Sequence, residues 1–180
     1  MTRILAAVQK TTMHDGGVDL PQIYFAHSIL GDQSGHDAGR QLLQQLYTAH
    51  VGGAMPPIST TALGKPYFID SPWHFSISHT PHHAFCVLSD APVGVDAEEI
   101  SRQVNPKLAE KILSAGELSQ YLAADDPNQA LLTFWVLKEA AGKCSGRGVG
   151  FHPRHTDFAR TDSRVFAHSG CLVAVICQEK

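Results

Sequence analysis

The sequence predicts an α+β fold on three observations. Apolar residues recur at helical spacing over 36–50 and 128–144. Short runs rich in β-branched and aromatic residues lie between and after those stretches, and glycine or proline marks most junctions. A chain of 180 residues buries a real core, as one compact domain or two tightly joined halves.

In chain order, RILAAVQ (3–9) reads as a strand and the polar, glycine-containing TTMHDGG after it as a loop. Ala38, Leu42, Leu43, Leu46 and Tyr47 then share one helix face, with Arg40 and the glutamines on others and Gly52 and Gly53 ending the helix. The stretch 52–72, with its prolines, serines and glycines, is a connection leading through LGKPYF into two paired strands, HFSISHT and AFCVLS. PVGVDAEEI starts apolar and ends in carboxylates, the pattern of a buried strand running out toward a site over 91–99.

After Pro106, KLAEKIL is a short helix, and Ser114 with Glu117 has the spacing of a capping box opening another. Asp126 and Pro127 open the long helix, whose broad apolar face includes Ala130, Leu131, Phe134, Trp135, Leu137 and Ala141 and ends before Gly146. HTDFAR, SRVFAH and CLVAVICQ read as two or three strands, the last apolar enough to be central.

Composition excludes several classes. The formal net charge of -3 gives no global field favouring nucleic acid or an anionic membrane, so an anion site must be built locally. Cys86, Cys144, Cys171 and Cys177 form no CxxC pair, which argues against structural zinc or a disulfide framework and for thiols in a reducing compartment. No stretch approaches the roughly 20 apolar residues of a membrane helix, and the N-terminus lacks a signal-peptide pattern, so the cytoplasm is the expected home.

In GVDAEE, Asp96 and Glu98 alternate along a strand and project from one face. Two adjacent carboxylates repel, so they are either solvated at a strand end or neutralised by a divalent cation. Glu139 lies mid-helix beside Trp135, where an unpaired charge would be costly. It would supply the third oxygen ligand of a magnesium site, or pair with Lys143 at i+4, and both can hold together. Arg40, Lys65, His79, Lys138 and Lys143 are the remaining cationic candidates. Ser78 and His79 face opposite ways on a strand, which argues against a nucleophile–base pair. His79, His82 and His83 invite a zinc or nickel reading, but Pro81 favours a turn with exposed histidines. No GxxxxGK or GxGxxG phosphate loop occurs.

Together GKPYF, FSISHT, VGVDAEE and FWVLKEAAGK, spanning 64–143 in this order, resemble the 4'-phosphopantetheinyl transferases of the surfactin-synthetase-activating type. The resemblance implies a pseudo-dimer of two similar α+β halves, 1–90 and 91–180, with coenzyme A in the cleft between them. It makes Asp96, Glu98 and Glu139 the ligands of Mg2+, with Mn2+ as a substitute, and Glu139 also the base for the incoming serine. It makes Lys143 a partner of the diphosphate, and Arg40, Lys65, His79 and Lys138 contacts of coenzyme A. The implied product pair is a phosphopantetheinylated carrier protein and adenosine 3',5'-bisphosphate.

The implied partner is an apo acyl or peptidyl carrier protein, met by a monomer. Carriers are acidic as a rule, so Arg102, Lys107 and Lys111, just beyond the acidic strand, are the expected docking cations, against the simpler reading of a solvated helix face. The family pattern departs in two places: Arg3, Lys10 and Arg40 are the only cations before Lys65, and Thr80 stands where serine is common. Two other functions share these ligands: a noncatalytic module binding coenzyme A or a carrier, and a metal-dependent diphosphate hydrolase needing no carrier.

Overall fold

Helix α1 (Gly35–His50) and helix α4 (Pro127–Ser145) form over the two stretches with helical periodicity. The computed structural model describes residues 20–147 and 153–179, so the strand expected over 3–9 lies outside the described residues. Ser34 caps α1 by accepting from the Asp37 amide. Asp126 caps α4 with Pro127 in its first turn, and Gly146 closes it in the left-handed conformation at φ 71°. The capping box of Ser114 and Glu117 opens α3 (Ala115–Leu122), after α2 (Ala109–Ile112).

Among the described residues the strands are eight: β1 (Ile23–Ile29), β2 (Ile58–Thr60), β3 (Pro66–Phe68), β4 (His74–His79), β5 (His83–Ser89), β6 (Val93–Glu99), β7 (Val165–His168) and β8 (Cys171–Cys177). β1, β5 and β4 form one antiparallel sheet in that order, β6, β8 and β7 a second, and β2 with β3 a small hairpin. The hairpin arises from the stretch read as a connection and β1 from one given no element, because each is too short or too mixed to show a period. Of the three tail segments, HTDFAR is not a strand.

The alternation along these strands sorts side chains into layers. Phe75, Ala84, Cys86 and Leu88 pack under Leu42, Leu43 and Leu46 of α1. The other face of that sheet sets Phe25, Phe85 and Val87 against Val95, Ala97, Cys171 and Val173 of the second sheet. The far face of the second sheet, through Leu172, Ala174 and Ile176, carries α4. The order is therefore helix, sheet, sheet, helix, with one helix and one three-stranded sheet drawn from 23–89 and the other pair from 93–177. Gly94 faces α4, and a Cβ there would come within 2.0 Å of the Ala140 carbonyl oxygen and 2.4 Å of the Cys144 amide nitrogen. Only glycine lets the α4 backbone lie this close to β6.

Where β7 meets the first sheet, three imidazoles gather. His27 and His83 share a hydrogen bond of 2.9 Å between ring nitrogens, and His168 stands edge-on to His27 with centroids 4.8 Å apart. Burial, then His168 and His83, lowers the His27 pKa from 6.5 to about 4. The fold therefore favours neutral His27. Its contribution is fully present above pH 6.5 and is lost as pH falls from there toward 4. Denaturant unfolding at pH 7 and pH 4.5 is expected to show a loss of roughly 2–3 kcal/mol from this group. His27→Gln should flatten the dependence by that amount.

Candidate functional site

The site lies where α4 crosses the outer face of β6. Asp96 and Glu98 point from that face, as the spacing in GVDAEE predicts, and Gly94 draws α4 down on them. Lys143, one turn beyond Glu139 on α4, donates to Asp96 Oδ1 at 2.7 Å. Ser78 of β4 donates to the same oxygen at 3.0 Å and accepts from Lys143 Nζ at 3.2 Å. Asp96 is 6% exposed, and its Oδ2 is buried without a hydrogen-bond partner. Glu98 Oε1 accepts from Arg102 Nη1 and, at 3.1 Å, from the Trp135 indole N–H.

These carboxyls feel one another. Burial raises the Asp96 pKa, opposed by the Lys143 ammonium and the hydrogen bonds of Lys143 and Ser78, while Glu98 adds to the rise. Burial likewise raises that of Glu139, reinforced by Asp96 and Glu98 and opposed by Lys143. So Asp96, Glu98 and Glu139 are close enough for mutual repulsion, and an ion between them would relieve it. Among the described residues, however, no three His, Cys, Asp or Glu side chains already converge tightly enough to hold an ion. Glu98 is turned onto Arg102 and Trp135. The donor set still suits magnesium: hard oxygens, one of them an orphaned buried carboxylate oxygen, without a competing thiolate or imidazole.

Beside this cluster is a cavity of about 250 Å³ whose walls come from both sequence halves. It is lined by Leu63 and Lys65 of the hairpin, Phe75, Ser76 and Ile77 of β4, and Gly142 and Lys143 of α4. Lys65 Nζ donates to the Cys144 carbonyl at 2.6 Å, placing a cation at the negative end of α4. Burial lowers the Lys65 pKa, so an anion entering the cavity would meet an incompletely solvated ammonium.

His79 points away from the carboxylates, to the α1 side of β4, and its exposed ring lies over Gly35. Arg40 belongs to the same helix, near enough to Cys86 for its charge to act on that thiol. His79 and Ser78 thus face opposite ways, and the nucleophile–base arrangement is absent. His82 is exposed and pairs with Glu99, so the three neighbouring histidines do not gather on one ion.

Lys138, expected among the coenzyme A contacts, is engaged inside the protein. It is 2% exposed, its ammonium lies 2.7 Å from Glu117 Oε2, and it donates to the Thr156 carbonyl at 2.7 Å. Helical geometry separates it from Glu139 by about 100° around the axis, so adjacent residues serve different faces. Glu117 also accepts from the Ser114 and Phe158 amides, fastening α3, α4 and the segment before β7 together. Lys138→Met, which strands the Glu117 carboxylate, is expected to lower stability by about 3–5 kcal/mol. Calorimetry should find coenzyme A affinity in the folded variant unchanged within about threefold.

The sequence offered weak signals for the partners now seen. Ser76 and Ser78 alternate in FSIS on the face opposite Phe75 and Ile77, which a strand reading alone could have flagged. Gly94 two residues before Asp96 was a sign of close backbone approach. Arg102, expected only as a docking cation, is also the ion-pair partner of Glu98.

Residues 92–176, which hold all three carboxylates and Lys143, match the model of the 4'-phosphopantetheinyl transferase superfamily. Over 125 residues the chain is 32% identical to the 4'-phosphopantetheinyl transferase psf-1 of Bacillus pumilus, covering 64% of this chain and 53% of that one. It is 35% identical over 88 residues to the 4'-phosphopantetheinyl transferase gsp of Aneurinibacillus migulanus, covering 48% of this chain and 36% of that one. A holo-[acyl-carrier-protein] synthase of Shewanella denitrificans is 36% identical over 64 residues, covering 32% and 51%. The chain thus spans about half or less of these transferase-superfamily relatives. Among the described residues no helix is long and apolar enough to cross a membrane.

Proposed function

We propose that the protein transfers the 4'-phosphopantetheine group of coenzyme A to a serine of an apo acyl or peptidyl carrier protein. The observation that carries this reading is the cluster of Asp96, Glu98, Glu139 and Lys143 beside a cavity walled by both halves, within the stretch that matches the transferase superfamily. The two halves, 1–90 and 91–180, would act as a pseudo-dimer with the coenzyme between them, and one chain would suffice.

Asp96, Glu98 and Glu139 would hold Mg2+, or Mn2+ in its place, and Glu98 would exchange its Arg102 contact for the ion. When bound, the ion supplies charge neutralisation and alignment of the coenzyme's diphosphate. Lys143 adds a fixed positive charge at the same place, and Lys65, in the adjoining cavity, is set to meet an anionic group of the coenzyme. Arg40 and His79 would meet the coenzyme farther out, on the α1 side. Glu139 accepts the proton of the carrier's serine hydroxyl, standing beside Lys143 at the site. The serine oxygen bonds to the phosphorus bearing the pantetheine arm, and the bond from that phosphorus to the departing adenosine 3',5'-bisphosphate breaks.

Chromatography of adenosine 3',5'-bisphosphate tests the reaction class. Release is expected only when coenzyme A, Mg2+ and an apo carrier are all present. Release without carrier would establish a hydrolase instead. For carrier docking, Lys107 and Lys111 are exposed on the segment after the acidic strand, whereas Arg102 also touches Glu98. Lys107→Glu with Lys111→Glu is therefore the clean charge reversal. It is expected to raise the carrier KM about tenfold, with the KM for coenzyme A unchanged. An unchanged carrier KM would remove this patch from the docking surface.

A further inference from the structure

The two sheets meet along an unusual joint. β4 is an edge of the first sheet and β6 an edge of the second, and two serine side chains stand where strand pairing would otherwise continue. Ser76 accepts from the Val95 amide at 3.1 Å, and Ser78 accepts from the Ala97 amide at 3.3 Å. Both serines are 6% exposed, so each satisfies an edge amide that would otherwise be buried without a partner. In that respect they are equivalent. They differ in one: Ser78 also donates to Asp96 Oδ1 and accepts from Lys143 Nζ, and no such bond is formed by Ser76.

The consequence falls on Asp96. Ser78 and Lys143 both engage Oδ1, which fixes the carboxylate's rotation and leaves Oδ2 buried and without a partner. Without the Ser78 hydroxyl the Lys143 ammonium alone would hold the group, and a flexible lysine holds a carboxylate as a point charge with no preferred plane. We infer that Ser78 is a positioning residue that presents Asp96 Oδ2 to a divalent cation and ties the metal-binding strand to the sheet forming the coenzyme cavity. The inference rests on the transfer reading for the identity of the ion, and it concerns how this chain prepares its ligand.

The test is calorimetric titration of Mn2+ into the whole protein without coenzyme A, comparing the unsubstituted chain with Ser78→Ala, Ser78→Cys and Ser76→Ala. Ser78→Cys keeps nearly the same volume while giving up a good donor and acceptor, which guards against a cavity effect in the alanine variant. Thermal unfolding of each reads the loss of the strand-bridging bond, which should be similar for Ser76→Ala and Ser78→Ala. Both Ser78 variants are expected to bind Mn2+ about 10–100-fold more weakly, with Ser76→Ala within about twofold of the unsubstituted chain. Equal Mn2+ affinity in the Ser76 and Ser78 variants, or no Mn2+ binding by any of them, overturns the inference. Transfer to a carrier by the unsubstituted protein is scored separately. A protein that fails to transfer yet shows the Ser78-specific loss defeats the transferase reading alone, and the reverse result defeats only the positioning role.

Discussion

Gly94→Ala is expected to weaken the fold by about 1–3 kcal/mol and to lower transfer at least 10²-fold. The added methyl would sit 2.0 Å from the Ala140 carbonyl oxygen and 2.4 Å from the Cys144 amide nitrogen, both backbone atoms of α4 that cannot turn aside. The helix must therefore lift from β6, carrying Glu139 and Lys143 away from Asp96, whose contact with Lys143 is 2.7 Å. Displacements near 1 Å are enough to cost two orders of magnitude when catalysis is positioning. Denaturant unfolding and steady-state transfer, measured on the same preparation, check both parts. A variant that loses stability but keeps its rate would show that the helix–strand spacing does not set the site.

Glu139→Gln is expected to cut the transfer rate about 10²–10⁴-fold without loss of stability. Glu139 is half-buried, and burial together with Asp96 and Glu98 raises its pKa, so its charge is a strain on the free protein. The amide keeps the shape and removes the proposed proton acceptor and one hard oxygen charge. Stability should stay level or rise by a few tenths to 1 kcal/mol, because the repulsion among the three carboxylates is relieved. Unfolding curves superimposed on those of the parent, with the rate lost, are the expected pair of results. A retained rate would move the proton acceptor and the third ligand elsewhere.

The two helices and the central strands were legible in the sequence because their signals are local. The alternation of GVDAEE placed Asp96 and Glu98 on one face, and the Asp126, Pro127 and Gly146 punctuation fixed the long helix at both ends. The capping box at Ser114 was equally local, but the second use of its Glu117 was not. Nothing near Glu117 in the chain reveals that Lys138 and the Phe158 amide converge on it. For the same reason Lys138 was grouped with Glu139, its neighbour in sequence, although the helix turns the two to different surroundings. β1 went unseen because IYFAHSI is buried unevenly and shows no clean period.

The site's chemistry was legible in part. Spacing put Asp96 and Glu98 on one face and the family resemblance joined Glu139 and Lys143 to them, whereas Ser78 reaching across a sheet joint and Arg102 with Trp135 holding Glu98 depend on contacts between distant segments. His79 and Arg40 on the α1 side of β4 also show that one motif, FSISHT, serves two faces. The serine turns to β6 and the histidine to the first helix, as strand alternation requires.

The most direct test is the intact mass of an apo carrier protein after incubation with coenzyme A, Mg2+ and this protein, beside a chelator control and the Glu139→Gln variant. The account predicts a gain of one phosphopantetheine group on the carrier, abolished by chelator and reduced in the variant to the background of the incubation time. No gain across acyl and peptidyl carriers, with coenzyme A still bound tightly, would contradict it and leave a binding module in its place.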